Sequence, residues 1–234
     1  MDEETIWSSG LHCVTVLIGA FNLKTGQPIV GVINQPFWKF DSSSKKWHGR
    51  KFWGVSTSNQ SVSSLTRYPL SRDPKAKKLI ISSPSEDTSI KEKLKEDFDF
   101  VCSSGAGYKL LCVALGLADI YILSKSTTHF WDTCGPHAIL KSLGGGIINY
   151  KNILDINTQQ REANGKKEGE TDFHEANNTG NSSVNNNSRK ISSFRQLSYS
   201  ISDSCKDTHF ANVGGLLAYR ENQTANVAIQ GLLT

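Results

Sequence analysis

Trp131-Asp132-Thr133-Cys134-Gly135-Pro136-His137-Ala138-Ile139-Leu140, continuing to Gly144-Gly145-Gly146, is where an apolar strand gives way to a helix. The run ahead of it, Asp119-Ile120-Tyr121-Ile122-Leu123, is short and β-branched, as a buried strand requires. Pro136 suits a first helical turn, where its missing N–H goes unused. Ala138, Ile139, Leu140 and Leu143 supply one apolar face, and the three glycines end the helix. On this reading Asp132 sits just ahead of the helix. It can cap backbone N–H groups or hold a cation at the mouth of a site, and the motif leaves both uses open.

Upstream, Leu79 to Ser83 reads as a strand, Ile90 to Phe98 as a helix and Asp99 to Cys102 as a second strand. Gly105-Ala106-Gly107 then turns into a helix from Tyr108 to Leu115, stopped by Gly116. Such alternation predicts an α/β layer. At the glycine turn, backbone N–H groups and a helix dipole suit an anion, and Lys109 lies one turn further on. The same spacing serves an ordinary strand-to-helix turn. Nearer the start, residues 11–20 read as a buried strand and Ile29 to Asn34 as its hairpin partner, stopped by Pro36. Lys39 to Gly54 suits a further strand pair, with Trp38, Trp47, Phe52 and Trp53 inward and charges outward. A nucleic-acid stacking surface is the rival reading of those aromatics.

The 234 residues carry 26 Lys+Arg against 22 Asp+Glu, a net +4 that is too small to argue for nucleic acid. Five cysteines, at 13, 102, 112, 134 and 205, show neither zinc spacing nor Cys-x-x-Cys pairing. With no secretory or membrane-spanning stretch, they predict reduced thiols in a cytoplasmic protein. Residues 152–207 are rich in Asn, Ser, Gln, Glu and Lys and are expected to form a disordered insertion. Within them, Arg189-Lys190-Ile191-Ser192 and Arg195-Gln196-Leu197-Ser198 match the acceptor pattern of arginine-directed kinases. His12, His129 and His137 are scattered. His137 is a possible ligand, though a satisfied structural histidine is the plainer reading.

Five blocks in order resemble the inositol monophosphatase superfamily of lithium-sensitive, magnesium-dependent phosphomonoesterases, and within it the inositol polyphosphate 1-phosphatase branch. They are Gly10 to Gly19, Gly31 to Phe37, Gly105 to Lys109, Trp131 to Gly146, and Ala211 to Arg220. The resemblance implies the C-terminal part of that sugar-phosphatase fold, an α+β layered sandwich. Residues 1–77 would be a remnant of the N-terminal antiparallel-sheet domain, and 78–151 with 208–234 the C-terminal α/β domain. It further implies Mg²⁺ as cofactor, Asp132 as a metal ligand and Thr127 as partner of the attacking water. Ser85, Gly105, Ala106 and Lys109 would hold the substrate, inositol 1,4-bisphosphate or inositol 1,3,4-trisphosphate.

Two departures from the pattern stand out. The family's upstream Glu and Asp-Pro-Ile-Asp carboxylates have no counterpart in the residues before Gly10, and Asp73-Pro74 reads as a surface turn. The family's Ser-x-Lys appears as Ser85-Glu86-Asp87, with an acid in place of the cation. A half-fold of this kind is expected to leave an edge strand and one sheet face uncovered. Three functional readings stay open: the phosphatase, a non-catalytic regulatory fragment, and a 3′(2′),5′-bisphosphate nucleotidase.

Overall fold

In the computed structural model, residues 5–67, 76–155 and 191–234 are described. Four strands, β1 (Val16–Phe21), β2 (Pro28–Asp41), β3 (Lys46–Ser56) and β4 (Ser61–Ser63), form an antiparallel sheet in sequence order. The second sheet has five strands: β5 (Lys78–Ser82), β6 (Phe98–Cys102), β7 (Ile120–Leu123), β8 (Gly146–Asn149) and β9 (Leu216–Tyr219). Their spatial order is β6-β5-β7-β9-β8. β5 is parallel to β6 and β7, whereas β9 runs antiparallel between β7 and β8.

Between the sheets lie α2 (Ala106–Leu115) and α3 (Phe130–Ser142). Ile33, Phe52, Tyr108, Leu111, Ile139 and Leu140 are among the side chains that fill this middle layer. The far side of the second sheet carries α1 (Thr88–Leu94) and α5 (Asn222–Leu233), packed over Ile80, Phe98, Ile120 and Ile148. A short helix, α4 (Asp203–Asp207), precedes β9. The architecture is therefore a layered α/β sandwich.

The helix–sheet spacing is set by glycine. Gly19, Gly31 and Gly54 pair directly across β1, β2 and β3, making a row without side chains. α3 lies along that row. A Cβ on Gly31 would run into the Gly135 backbone, and one on Gly54 would come within 2.8 Å of Ile139 Cα. Such contact leaves no room for a methyl group. The opposite face of this sheet keeps Val16, Ile18, Val30, Trp53 and Val62 exposed.

Several expectations are corrected. Residues 11–20 are not one buried strand: a 3-10 turn covers Leu11–Cys13, and β1 is a largely exposed edge strand. Pro36 does not stop β2, because the register breaks between Gln35 and Lys39 and the strand resumes. A bulge lets an edge or irregular stretch carry a proline without losing a ladder bond. Of the aromatics, Phe52 is buried, Trp47 half-buried and Trp53 exposed. Helix α5 was not read from the sequence at all.

The expectation of disorder across 152–207 fails at both ends, with 152–155 helical and 191–207 ordered, while 156–190 lie outside the described residues. Residues 194–202 form a strap across the second sheet and α3. Leu197 N–H donates to Ile147 O and Tyr199 N–H to Gly26 O, both at 2.8 Å. Tyr199 is fully buried, with its ring against Phe21 and Phe130. Its hydroxyl lies 3.0 Å from His137 Nδ1, and Gln196 Oε1 lies 2.6 Å from Nε2. An amide oxygen only accepts, so Nε2 carries the imidazole proton and Nδ1 takes the tyrosine's. Desolvation pulls the His137 pKa down to about 3. With both nitrogens engaged, His137 is a structural histidine of α3.

Candidate functional site

Three parallel strands end side by side, at Ser82, Cys102 and Leu123. In an open α/β sheet the crevice beyond such carboxyl ends is the usual place for a ligand. Ser85, Gly105, Ala106, Lys109, Thr127 and Asp132 all lie in or just after one of the three loops that leave these strands.

The loop after β5 carries Ser85, Glu86 and Asp87. Ser85 is exposed. Asp87, the acid standing where the family pattern has Lys, is the N-cap of α1 and accepts Ser89 N–H at 2.9 Å. That bond holds its carboxyl below the usual carboxylate range. The substitution thus has a local structural role. A cation does reach this loop from elsewhere: Lys125 Nζ donates to Ser85 O at 2.5 Å.

Glu86 was not predicted, yet it is the most constrained acid here. It is 7% exposed, and its Oε1 accepts the Ser124 N–H at 3.1 Å, the Ser124 hydroxyl and the Asp87 N–H at 3.2 Å. It therefore ties the β5 loop to the β7 loop. Its Oε2 and the neighbouring strand-end Ser82 Oγ are buried without a hydrogen-bond partner. Nothing in the sequence marks Glu86 out, since an acid before a capping Asp looks like ordinary surface.

The turn after β6 bends at Gly105, whose φ of 78° favours glycine, and α2 begins at Ala106. Gly105 is exposed and Ala106 half-buried. The N-terminal segment leans on this turn, with Ser104 N–H donating to Ser8 O and Ser103 Oγ to Trp7 O. Lys109, expected to face the substrate, is only 3% exposed. Its Nζ donates to Ser103 O at 3.1 Å and lies 5.2 Å from the centre of the Tyr121 ring. Burial draws its pKa down, while Glu86 is among the charges that oppose the shift. Lys109 thus supports the turn from beneath.

The loop after β7 carries Thr127, which is exposed, and Asp132. The helix begins earlier than the sequence suggested. His129 is the N-cap of α3, and Asp132 sits at its third position. Asp132 Oδ2 accepts the His129 N–H at 2.8 Å and lies 3.7 Å from His129 Nδ1, while the His129 ring stacks on exposed Trp131. This is a reciprocal cap, in which the acid reaches back to the first residue. Pro136 lies inside the helix, not in its first turn, so the Asp132 carbonyl has no N–H four residues on.

A second residue that sequence reasoning missed is Asn212, in the loop before β9. Its Nδ2 lies 3.1 Å from Thr128 Oγ1, 3.0 Å from His129 O and 3.2 Å from Thr133 Oγ1. It holds the loop that presents Thr127 and Asp132. Only its place in the Ala211 to Arg220 block hinted at a role.

The structure thus brings Ser85, Gly105, Ala106, Thr127 and Asp132 to one edge of one sheet, with Lys109 and Glu86 beneath. As a Mg²⁺ centre, the set is incomplete. Among the described residues no group of three or more His, Cys, Asp or Glu side chains is placed to hold a metal, and one carboxylate does not make an octahedral oxygen shell. All five cysteines are free thiols. No helix among the described residues is long and apolar enough to cross a membrane.

The family model described as the inositol monophosphatase family matches residues 7–188. Inositol polyphosphate 1-phosphatase of Bos taurus is 42% identical over 172 residues, 66% of this chain and 43% of that protein. The 3′(2′),5′-bisphosphate nucleotidase 1 of Dictyostelium discoideum is 32% identical over 147 residues, 58% of this chain and 45% of that protein. A solved inositol monophosphatase from Zymomonas mobilis shares the fold, with a TM-score of 0.50 and 14% identity over 89% of this chain and 59% of that one. The chain spans less than half the length of these two curated relatives. With a match over most of its length that includes all three strand-end loops, the chain belongs to the inositol monophosphatase family.

Proposed function

We propose that this polypeptide is part of a phosphomonoesterase that removes the 1-phosphate from inositol 1,4-bisphosphate and inositol 1,3,4-trisphosphate, with Mg²⁺ dependence and lithium sensitivity. The observation that carries the proposal is the convergence of the β5, β6 and β7 loops at the carboxyl edge of the second sheet. The higher identity to the bovine 1-phosphatase than to the nucleotidase favours an inositol phosphate over a nucleotide.

In this reading Ser85 and the exposed turn at Gly105 and Ala106 orient the inositol phosphate, with backbone N–H groups at the start of α2 facing its anionic oxygens. Lys109 adds positive charge behind the turn. Thr127 positions the attacking water, and Asp132 contributes one carboxylate to a metal whose chemistry would be to activate that water. The described residues do not complete that metal's shell. The incomplete shell favours a second reading, a non-catalytic or regulatory polypeptide.

The test is phosphate release from inositol 1,4-bisphosphate by the purified chain, with and without Mg²⁺ and Li⁺, beside Asp132→Asn. Lithium-sensitive turnover abolished by the substitution supports the enzyme. Absence of turnover from folded protein supports the second reading.

A further inference from the structure

We propose that Ser198 is a phosphorylation site for an arginine-directed protein kinase, and that the added phosphate unlatches the 194–202 strap from α3. The inference is independent of the phosphatase reading, because it rests on the strap alone. Arg195 and Ser198 stand at the spacing such kinases accept, and both are exposed. In the other match, Arg189 and Lys190 lie outside the described residues.

The strap is poised to open. Across 194–202 it forms no continuous ladder, and its backbone is tied through Leu197 N–H to Ile147 O and Tyr199 N–H to Gly26 O. An extended segment with so few backbone ties opens locally at modest cost, which a kinase needs in order to seat it. What holds the strap shut is the buried side of the same segment, Tyr199 and Gln196 on His137.

A phosphate on Ser198 Oγ, where that oxygen lies in the closed state, would meet the β1–β2 turn. Ser198 Oγ and Ser200 Oγ, 3.0 Å apart, are pressed against the β1–β2 turn, so that a single Cβ added to Gly26 would collide with both. Gly26 has φ of 66° and its carbonyl accepts Tyr199 N–H, so the turn is fixed where the phosphate would go. In the reaction Ser198 Oγ attacks the γ-phosphorus of ATP. The new O–P bond replaces the bond to the β,γ-bridging oxygen, ADP leaves, and the hydroxyl proton passes to the kinase's base. The bulky dianion then opposes reclosure. Because Tyr199 and Gln196 engage His137, release of the strap loosens the helix that carries Asp132 in its first turn.

The experiment treats the full chain with the catalytic subunit of a cyclic-AMP-dependent kinase and ATP, and maps phosphate by mass spectrometry. Hydrogen exchange is then followed at the Leu197 and Tyr199 amides. A synthetic peptide of residues 191–202 reports whether the kinase accepts the sequence. Expected are one phosphate on Ser198, none there in Ser198→Ala, and about tenfold slower modification of Arg195→Ala, the loss of one charge-assisted contact. Exchange at the two amides should quicken at least about tenfold on phosphorylation, while Ser198→Ala stays as protected as the wild type. A phosphorylated peptide with an unmodified Ser198 in the chain overturns the site. A phosphorylated chain whose two amides exchange no faster, or more slowly, overturns the unlatching.

Discussion

Gly135→Ala should destabilise this protein, although the same change in most helices does the opposite. Gly135 is an interior residue of α3, where alanine is ordinarily favoured by about 1 kcal/mol. Here the new methyl group would point into β1. It would run into the Ile18 carbonyl oxygen, with the carbonyl carbon at 3.0 Å and Gly19 N at 3.4 Å. All of these are backbone atoms in a ladder whose register pairs Ile18 with Val32 and Gly19 with Gly31, so no rotamer change can relieve the contact. Overpacking of this kind costs about 1–3 kcal/mol, and rigid neighbours place it at the upper end. The net loss should be about 1–2 kcal/mol. In a domain of this size that is a fall in Tm of roughly 2–8 °C. Urea denaturation of the two proteins checks it, with an unchanged m-value showing that only stability has moved. A higher midpoint for Gly135→Ala would mean that α3 can lift off the glycine row at no cost, and the account of the helix–sheet spacing would be wrong.

His137 predicts a pH dependence. Its folded pKa is depressed to about 3, so between that value and the ordinary histidine pKa the unfolded chain binds a proton that the folded chain refuses. Stability should fall by about 1 kcal/mol per pH unit as pH drops from 6.5 towards 4, and His137→Gln should remove that slope; equal slopes in both proteins would contradict the neutral, doubly bonded imidazole. Glu86→Ala leaves the buried Ser124 N–H without its acceptor and should cost about 1–3 kcal/mol. The neighbouring cap change Asp87→Ala should cost about 1 kcal/mol, so a Glu86 effect no larger than this would deny the buried acid its bridging role. Asn212→Ala should cost about 2 kcal/mol through the three contacts of its amide, and near-neutrality in thermal melts would show the β7 loop to be self-supporting.

The parallel strands and their helices were legible because each is bounded by punctuation that has a backbone cause. Gly105 and Gly116 flank α2 with positive φ, and Gly144 does the same after α3. The start of α3 misled because Pro136 looked like a first-turn residue. The reciprocal cap between His129 and Asp132 begins the helix six residues earlier, and a histidine cap is not one that sequence patterns favour. Residues 194–202 were misread from composition. Their order depends on Tyr199 meeting His137, a contact between residues far apart in the chain that no local window contains. The exposed half of the site was readable from the motif blocks. Its buried supports, Glu86 and Asn212, were not, because their importance lies in what they touch across loops. Lys109, expected to hold the substrate, lies beneath the turn, since one helical step separates an exposed position from a buried one.

The position of β8 constrains the order in which this protein can be assembled. On one side β8 pairs with β9, and on the other it meets the strap through a bridge between Ile148 and Gln196. Both neighbours come later in the chain. While the polypeptide is being made, residues 146–149 emerge as an apolar strand with nothing to pair with until residues 216–219 follow. β7 waits for the same partner on its own outer edge. The first sheet, by contrast, closes from hairpins between consecutive strands. During translation at about 5–20 residues per second, the first sheet can form within seconds, while the second stays open for several seconds more. In that interval its unpaired edges are the part of the nascent chain most in need of a chaperone.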